Sequence, residues 1–566
     1  MPYQSPVPHM RFLLDKVVGF DAVRATDRFA EATPDMVDAI LTEAGKMCDE
    51  VLAPLQRVGD QHPATLENGK VRTPPGFAEG YRAIADGGWI GMSAHPDTGG
   101  LGLPMTLTNA VNDMICGACL AIQLNPLMTQ GQIEALEHHA SEDIKALYIP
   151  KLISGDWCGT MNLTEPQAGS DVGALRTKAE PNGDGTYAIT GQKIYISWAD
   201  NDFTENVCHL VLARLPDGAP GTKGISLFMV PKMIPDEDGN PGARNSLRVV
   251  SLEHKMGLHG SPTAVMEYDG ATGWLVGEPH GGMAAMFTMM NNARLGVGTH
   301  GIGVAEGAYQ HALAYALGRK QGKVGGTGTI VEHPDVRRML ASMKADTFAA
   351  RAIAFANAVA IDMGTATDDP AWQARAALLT PITKAFGTEV GMRVAELGVQ
   401  VHGGMGYIEE TGAAQYSRDV RVSAIYEGTN GIQAIDLVGR KMMDGGEAAI
   451  ALIDEICEGA DAAKATLPDL AQDVYEAAET LREAVEWLVA QDMPDRLAGA
   501  TPFLMGFARV LGGHFHLIAA RQGDGGHERL ARFYITRLLP EYAAHLAEAR
   551  AGAADLMALT LDDLGA

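Results

Sequence analysis

The chain has 566 residues, 46% hydrophobic and 20% charged, an ordinary globular balance on a length that needs three or four structural units. Lys plus Arg number 44 and Asp plus Glu 70, and the net charge of −26 argues against nonspecific binding to nucleic acid or anionic membranes. Six cysteines make no disulfide framework, which fits a reducing, cytoplasmic setting.

The N-terminus, MPYQSPVPHMRFLL, lacks a basic region, an apolar stretch and a small-residue cleavage site in succession. Residues 1–32 read as an extension wrapped on the surface, with a short helix from His9 to Val18. Thr33-Pro34-Asp35 opens a helix, with Pro at the first helical position. Val37, Ile40, Leu41, Ala44, Met47, Val51 and Leu55 follow helical spacing. Residues 58–76 read as a loop, and helices are expected at Pro75 to Ala85, Thr106 to Ile122, Leu127 to Ala140 and from Ser141 onward. Residues 33–157 are thus expected to be all-helical. Cys116-Gly-Ala-Cys119 lies in an apolar helical segment and reads as two buried thiols more readily than as a redox or metal pair.

Near Trp157 the period changes to two and β-branched residues rise. Strands are expected at Tyr187 to Thr190, Lys193 to Ser197, Val207 to Leu212, Ile225 to Val230 and Ala264 to Tyr268, separated by Asn-Gly and Asp-Gly turns. Short strands with close turns imply an antiparallel barrel or sandwich over 158–282. Helical patterning returns in segments 283–320, 333–362, 371–402 and 427–443, a four-helix bundle within 283–446. A final helical block, 447–566, carries the apolar stripe Leu470, Val474, Ala477, Leu481, Ala484 and Leu488, which reads as core or a domain contact. Phe503 to Ala520 reads as a buried helix, since Arg509, His514 and His516 interrupt it as a membrane span. The fold class is therefore α+β: helical domain, β domain, helical bundle and an additional helical domain.

Gly296-Val-Gly298-Thr-His-Gly301 is a literal GxGxxG, but MAAMFTMMNNARL before it is helical. A dinucleotide fingerprint needs a strand there, so the glycines are read as sites of close helix approach. No histidine group has metal-ligand spacing; His138-His139 and His254/His259 read as hydrogen-bonding residues. At the helix-to-strand boundary, Leu163-Thr164-Glu165-Pro166-Gln167-Ala168-Gly169-Ser170-Asp171 offers hydroxyls and backbone N–H groups that suit a phosphate or a polar ring edge; alone, the pattern is only a turn. Glu427 lies between an apolar run (Val422, Ala424, Ile425, Tyr426) and the turn Gly428-Thr429-Asn430-Gly431. Lost hydration would raise its pKa and make it a base near neutral pH; the plainer reading is a surface Glu at a helix start.

TEPQAGSD, GQKIYIS, NNARLG, GRK, QVHGGMGY and YEGTNGIQ occur in this order between Thr164 and Gln433. Together they resemble the acyl-CoA dehydrogenase family of flavoproteins, from about residue 35 to 443. EHKMGLHGSPTA (253–264) and the additional C-terminal block resemble the family's 3-methylmercaptopropionyl-CoA dehydrogenases. The resemblance implies FAD as cofactor, α,β-dehydrogenation of an acyl-CoA, an electron-transfer flavoprotein as acceptor, and a homodimer. The implied base is Glu427, because Ala293, where other members carry it, holds no proton-accepting group. Substrate contacts are implied at Arg294, Ser170, Tyr426 and Gly428. Flavin contacts are implied at Leu163, Thr164, Gly169, Ser170, Tyr195, Ser197 and Thr429, and Arg319, Gln400 and Gly404 would reach the adenosine half of FAD in a neighbouring subunit. Tyr195 stands where Trp is frequent, and Gly431 where a Gln often contacts the flavin. The expected substrate is 3-methylmercaptopropionyl-CoA, with a short- or medium-chain fatty acyl-CoA as the alternative. An acyl-CoA oxidase and a DNA-binding homologue of this fold are competing readings, the latter disfavoured by the acidic composition after 447.

Overall fold

The computed structural model describes residues 3–323 and 325–566. It divides into two compact units: Met1–Thr42, Met105–Gly117 and Arg294–Ala566 form the first, and Glu43–Pro104 and Ala118–Ala293 the second. The chain passes between them inside three helices and once at the Pro104–Met105 junction. In order, the early elements are α1 (Val7–Lys16), α2 (Phe20–Arg24), α3 (Pro34–Met47), α4 (Leu55–Gln61), β1 (Thr65–Glu67), β2 (Lys70–Arg72), α5 (Phe77–Asp86), α6 (Met105–His139) and α7 (Glu142–Ile153).

In the second unit, the expected loop at 58–76 instead holds α4 and the β1–β2 hairpin, so the region is not all-helical. Asn68 (φ +52) and Gly69 (φ +75) are both left-handed, the geometry that an Asn-Gly hairpin turn demands. The pair of helices expected around residues 106–140 is one run, broken where Cys119 leaves helical geometry (φ −158, ψ 90). Pro126 stays inside the helix.

The β domain contains β3 (Trp157–Asn162), β4 (Lys178–Pro181), β5 (Tyr187–Ser197), β6 (Asn206–Arg214), β7 (Ile225–Pro231), β8 (Met233–Pro235), β9 (Pro241–Arg244), β10 (Leu247–Leu252) and β11 (Thr263–Val276). The pairings β11–β5, β5–β4, β4–β6, β6–β7 and β7–β11 close a ring, with β10 added on β11 and β3 on β6. The barrel holds Ile189, Val211, Phe228, Val230 and Tyr268 in its core. It is not wholly antiparallel, as expected from the turns: β3 and β4 pair with β6 in parallel. Parallel neighbours need a long connection, and residues 163–205 supply it between β3 and β6; turn dipeptides report only on sequential strands.

The first unit is built on α8 (Gly282–Gly318), α9 (Pro334–Thr367), α10 (Pro370–His402), α11 (Ala413–Val420) and α12 (Asn430–Gly439). The bundle's fourth helix therefore starts at Asn430, later than expected, and leaves Glu427 in the preceding loop. GxGxxG is a helix crossing, as read from the sequence. A Cβ on Gly298 would lie 2.6 Å from the Thr383 carbonyl oxygen, and one on Gly391 would lie 2.7 Å from Gly301 Cα. Gly398 faces Ala308, so both numbers rise together and α8 and α10 run parallel.

The N-terminal extension is packed, not merely wrapped on the surface. Met10, Leu13 and Leu14 are at helical spacing and, with Phe20 and Val23, are fully buried. The C-terminal block comprises α13 (Glu447–Ala463), α14 (Pro468–Ala490), α15 (Met493–Ala498), α16 (Ala500–Gln522), α17 (Gly525–Arg537), α18 (Glu541–Ala549) and α19 (Ala554–Ala558). Every residue of the stripe on α14 is fully buried. Ion pairs join the block to the bundle: Arg509 on α16 reaches Asp346 on α9 at 2.5 Å and Glu541 on α18 at 2.7 Å, and Arg393 on α10 reaches Glu541 at 2.9 Å. Two helices, α6 and α16, are long and apolar enough to cross a membrane, but 94% and 83% of their apolar windows are buried inside the protein.

Candidate active site

The Glu427 loop is set by tight local turns. Residues Arg421–Ala424 form a short 3-10 helix, and Tyr426 N–H donates to the Val422 carbonyl at 3.2 Å. Glu427 (φ +56) and Gly428 (φ +84) are then consecutively left-handed. Thr429 caps α12, its hydroxyl accepting from Ile432 N–H at 3.2 Å, while Gln433 Nε2 donates to the Glu427 carbonyl at 3.3 Å. Tyr426 OH meets His300 Nδ1 at 2.7 Å. Burial pushes His300 down to about 3, so the imidazole is neutral; burial and the neighbouring Glu427 charge push the Tyr426 phenol well above its usual value.

Burial pushes the Glu427 carboxyl up to about 7, against the pull of the Arg294 and Lys384 charges. Among the described residues nothing donates a hydrogen bond to this carboxylate, and its backbone N–H is likewise unengaged. Arg294 is buried, which lowers its pKa, and its guanidinium lies 3.8 Å from the Asp436 carboxylate. Lys384, fully buried, is lowered to about 8 by desolvation, with Glu427 opposing that shift. Its Nζ donates to Asn430 Oδ1 at 2.9 Å, and Asn430 Nδ2 donates to Glu389 at 2.8 Å. Sequence reading singled out neither Lys384 nor Asn430; a lysine inside the apolar run PITKAFG was the available signal.

Leu163, Thr164, Gly169 and Ser170 lie in the second unit, in the loop after β3. Glu165 anchors this loop. Its carboxylate accepts from Lys193 Nζ at 2.9 Å, Arg176 N–H at 2.7 Å, and Thr177 N–H and hydroxyl at 3.0 and 2.6 Å. Burial alone would raise this carboxyl, yet Lys193 and these donors hold it at about 2, and burial brings Lys193 down to about 8. Lys193 Nζ also donates to the Leu163 carbonyl at 2.9 Å, and Ile194 N–H donates to the Thr164 carbonyl at 2.9 Å. TEPQAGSD and GQKIYIS are thus fastened together. Tyr195 (φ +61) sits where the β5–β11 register shifts, and a bulge of this kind re-aims a side chain; the residue is 61% exposed. Ser197 is partly buried and pairs with Thr263.

Arg319, Gln400 and Gly404 are exposed at the C-terminal ends of the parallel helices α8 and α10. There Tyr315 and His311 stack on His402 at 4.3 and 4.8 Å. The run from Arg294 to Arg319 spans about 38 Å at the α-helical rise, so one chain does not bring these three residues to Arg294 and Glu427. Cys116 and Cys119 are buried thiols. His138 meets the Glu134 carbonyl and His139 the Thr288 hydroxyl, both at 2.8 Å, and His259 meets Asp60 at 3.0 Å.

Four family models match: the N-terminal, middle and C-terminal domains of acyl-CoA dehydrogenase at residues 37–156, 160–271 and 280–443, and an acetyl-CoA dehydrogenase C-terminal-like domain at 449–560. The chain is 45% identical to a 3-methylmercaptopropionyl-CoA dehydrogenase of Ruegeria pomeroyi, over 89% of this chain and 88% of the relative. It is 36% identical to a butyryl-CoA dehydrogenase of Syntrophomonas wolfei, over 72% and 70%. Its fold is shared with Caenorhabditis elegans ACDH-11, solved in complex with C11-CoA (TM-score 0.79, 21% identity, covering 94% of this chain and 91% of that one). A Bacillus anthracis acyl-CoA dehydrogenase complexed with FAD also shares it (TM-score 0.75, 20% identity, covering 100% and 95%). The chain belongs to the acyl-CoA dehydrogenase family.

Proposed function

We propose that Glu427 removes the α-proton of an acyl-CoA thioester while a flavin takes the β-hydride. The observation that carries this reading is the Glu427 carboxyl, pushed up to about 7 and accepting no hydrogen bond among the described residues. An unengaged base near neutral pH is what proton abstraction next to a carbonyl requires. Arg294 and Lys384 keep enough positive charge nearby for the carboxylate to form. The free Glu427 N–H would donate to the thioester oxygen as charge develops there. Tyr426, tied to neutral His300, would shape the acyl pocket beside the base.

The residues of the second unit fit a flavin. The exposed Tyr195 ring suits one edge of a planar ring system, with the Thr164 and Ser197 hydroxyls on neighbouring strand ends. At Gly169 and Gly404 a Cβ would meet nothing within 4 Å, which leaves the backbone open to a close approach by phosphate. Bound as FAD, the group would supply a hydride acceptor at N5. Arg319 lies about 38 Å along α8 from Arg294, and Gln400 and Gly404 lie at the matching end of the parallel α10, so the three would serve the FAD of a second copy in a homodimer. The C-terminal block covers α9 and α10 of its own chain, which favours a dimer over a larger assembly; light scattering gives the answer. Electrons would leave to an electron-transfer flavoprotein.

For the substrate we infer 3-methylmercaptopropionyl-CoA, giving 3-methylthioacryloyl-CoA, supported by the 45% identity that runs nearly end to end through the relative of that name. Short-chain acyl-CoA is the second reading, supported by the butyryl-CoA dehydrogenase relative. Turnover of both thioesters with a dye acceptor separates them: faster use of butyryl-CoA rejects the sulfur substrate. Peroxide formation without added acceptor would mark an oxidase.

A further inference from the structure

A cavity of about 1200 Å³ opens in the first unit between α1, α8, the start of α9, and α17. It is separate from the base: Glu306 and Tyr309 face it from α8, about 18 Å or more along the helix from Arg294. Nothing in the dehydrogenation chemistry uses it.

Its charge is unusual for a chain of net charge −26. Six Lys and Arg side chains line it against three carboxylates. All three carboxylates are engaged. Glu306 takes Arg351 at 2.9 Å, Asp335 takes Arg338 at 2.8 Å, and Asp524 caps α17 through Gly526 and His527 N–H at 2.8 and 3.1 Å. Arg351 is also held by Asp113 at 2.7 Å. Arg337, Lys344, Arg529 and Arg537 remain, with no carboxylate in ion-pair range among the described residues. Lys344 rests over the Tyr309 ring at 6.0 Å and Arg537 over Phe533 at 5.9 Å, contacts that hold a cation without neutralising it. α9 starts on the same space, and the side chain of its N-cap residue His333 caps none of the first-turn N–H groups, so these add to the positive field. Aromatic surface completes the wall: Phe12 stacks on His527 at 3.9 Å, and Phe533 lies near. Uncompensated cations beside aromatic faces match a polyanion that carries a flat ring.

We propose that this cavity binds a phosphorylated nucleoside, with its phosphates on Arg337, Lys344, Arg529 and Arg537 and its base against Phe12 and Phe533. The ligand is either a free nucleotide or the adenosine-phosphate end of a coenzyme A molecule.

Calorimetric titration of the full-length, flavin-loaded protein with ADP, adenosine and inorganic phosphate tests this. ADP should bind saturably, and adenosine and phosphate at least about tenfold more weakly. Lys344→Ala and Arg537→Ala should each weaken ADP about tenfold at unchanged Tm and kcat, and Phe12→Ala should weaken ADP but not phosphate. Both cations are exposed, so the variants should fold. If saturating acyl-CoA displaces ADP and the two variants raise the KM for acyl-CoA, the nucleotide is that of coenzyme A. If ADP binds unchanged to the acyl-CoA-saturated protein and KM does not move, it is a free nucleotide. No saturable ADP binding at millimolar concentration, ADP binding indifferent to both variants, or phosphate binding as tightly as ADP would overturn the proposal.

Discussion

Glu165 and Glu427 are the same residue type, each with a buried lysine near it, and they titrate in opposite directions. Glu165 is held at about 2 and Glu427 is pushed up to about 7. Burial raises both. The difference is direct donation: Glu165 accepts five hydrogen bonds, including one from Lys193 and one from Gln167, while the cations near Glu427 act on it only through space. Lys384 donates its hydrogen bond to Asn430 Oδ1 instead. A carboxylate with its acceptor sites filled is a structural rivet; one left open in a dry loop is poised to take a proton.

The largest expected effect is on the open carboxylate. Glu427→Gln should keep flavin absorbance and lower kcat by about 10⁴-fold, near the upper end for a general base. Near wild-type turnover would remove Glu427 from the mechanism. In the wild type, kcat/KM should rise with pH to a plateau just above about 7, where the base loses its proton. Stability runs the other way. A carboxyl raised from 4.5 to about 7 favours the folded state at low pH and loses that contribution as pH climbs through this range. Glu427→Gln should therefore gain Tm over wild type at pH 8 and none at pH 4.5.

Next in size is the closed carboxylate. Glu165→Gln leaves Lys193 buried without its counter-charge and should cost about 3–5 kcal/mol, read as a lower denaturation midpoint. The depressed Glu165 pKa stabilises the fold above 4.5, and that contribution fades as pH falls toward about 2. Replacing both partners, Glu165→Leu with Lys193→Met, should recover most of the loss; failure to recover it would mean that the pair's other hydrogen bonds carry the loop.

The smallest shift should come from Lys384→Met. Without that through-space charge the acid limb of the pH–rate profile should move up by about one unit, equivalent to roughly 1.4 kcal/mol. An unmoved limb would mean that Lys384 serves only to position Asn430.

Several of these features could be read in the sequence. The apolar run before Glu427 announced its dry setting, and the helical run before Gly296 exposed the GxGxxG as a packing motif. The Asn68-Gly69 hairpin was equally legible, as was the i, i+3, i+4 spacing of Met10, Leu13 and Leu14 that buries the extension; both signals lay in segments read as loop and surface. Other features were out of reach. The parallel pairing of β3 with β6 joins strands far apart in the chain, and no local pattern encodes it. Lys384 meets Asn430 across a helix crossing, and lysine in a helix is usually read as a solvated face. The break at Cys119 comes two residues after Gly117, while Pro126, the natural suspect, remains helical. Arg319, Gln400 and Gly404 have local surroundings that say nothing of a ligand; only the resemblance of their motifs singled them out.

The positive φ of Glu427 has an evolutionary consequence. Left-handed backbone suits glycine and burdens a glutamate by about 1 kcal/mol or more. The position is therefore held against the preference of its own backbone, a cost that the proposed role as base would account for. Glu427→Gly should give an inactive protein that melts at a higher temperature than Glu427→Ala. A library screened for heat resistance alone should drift to Gly at 427, and a homologue with Gly there would need its base at another position, such as that of Ala293.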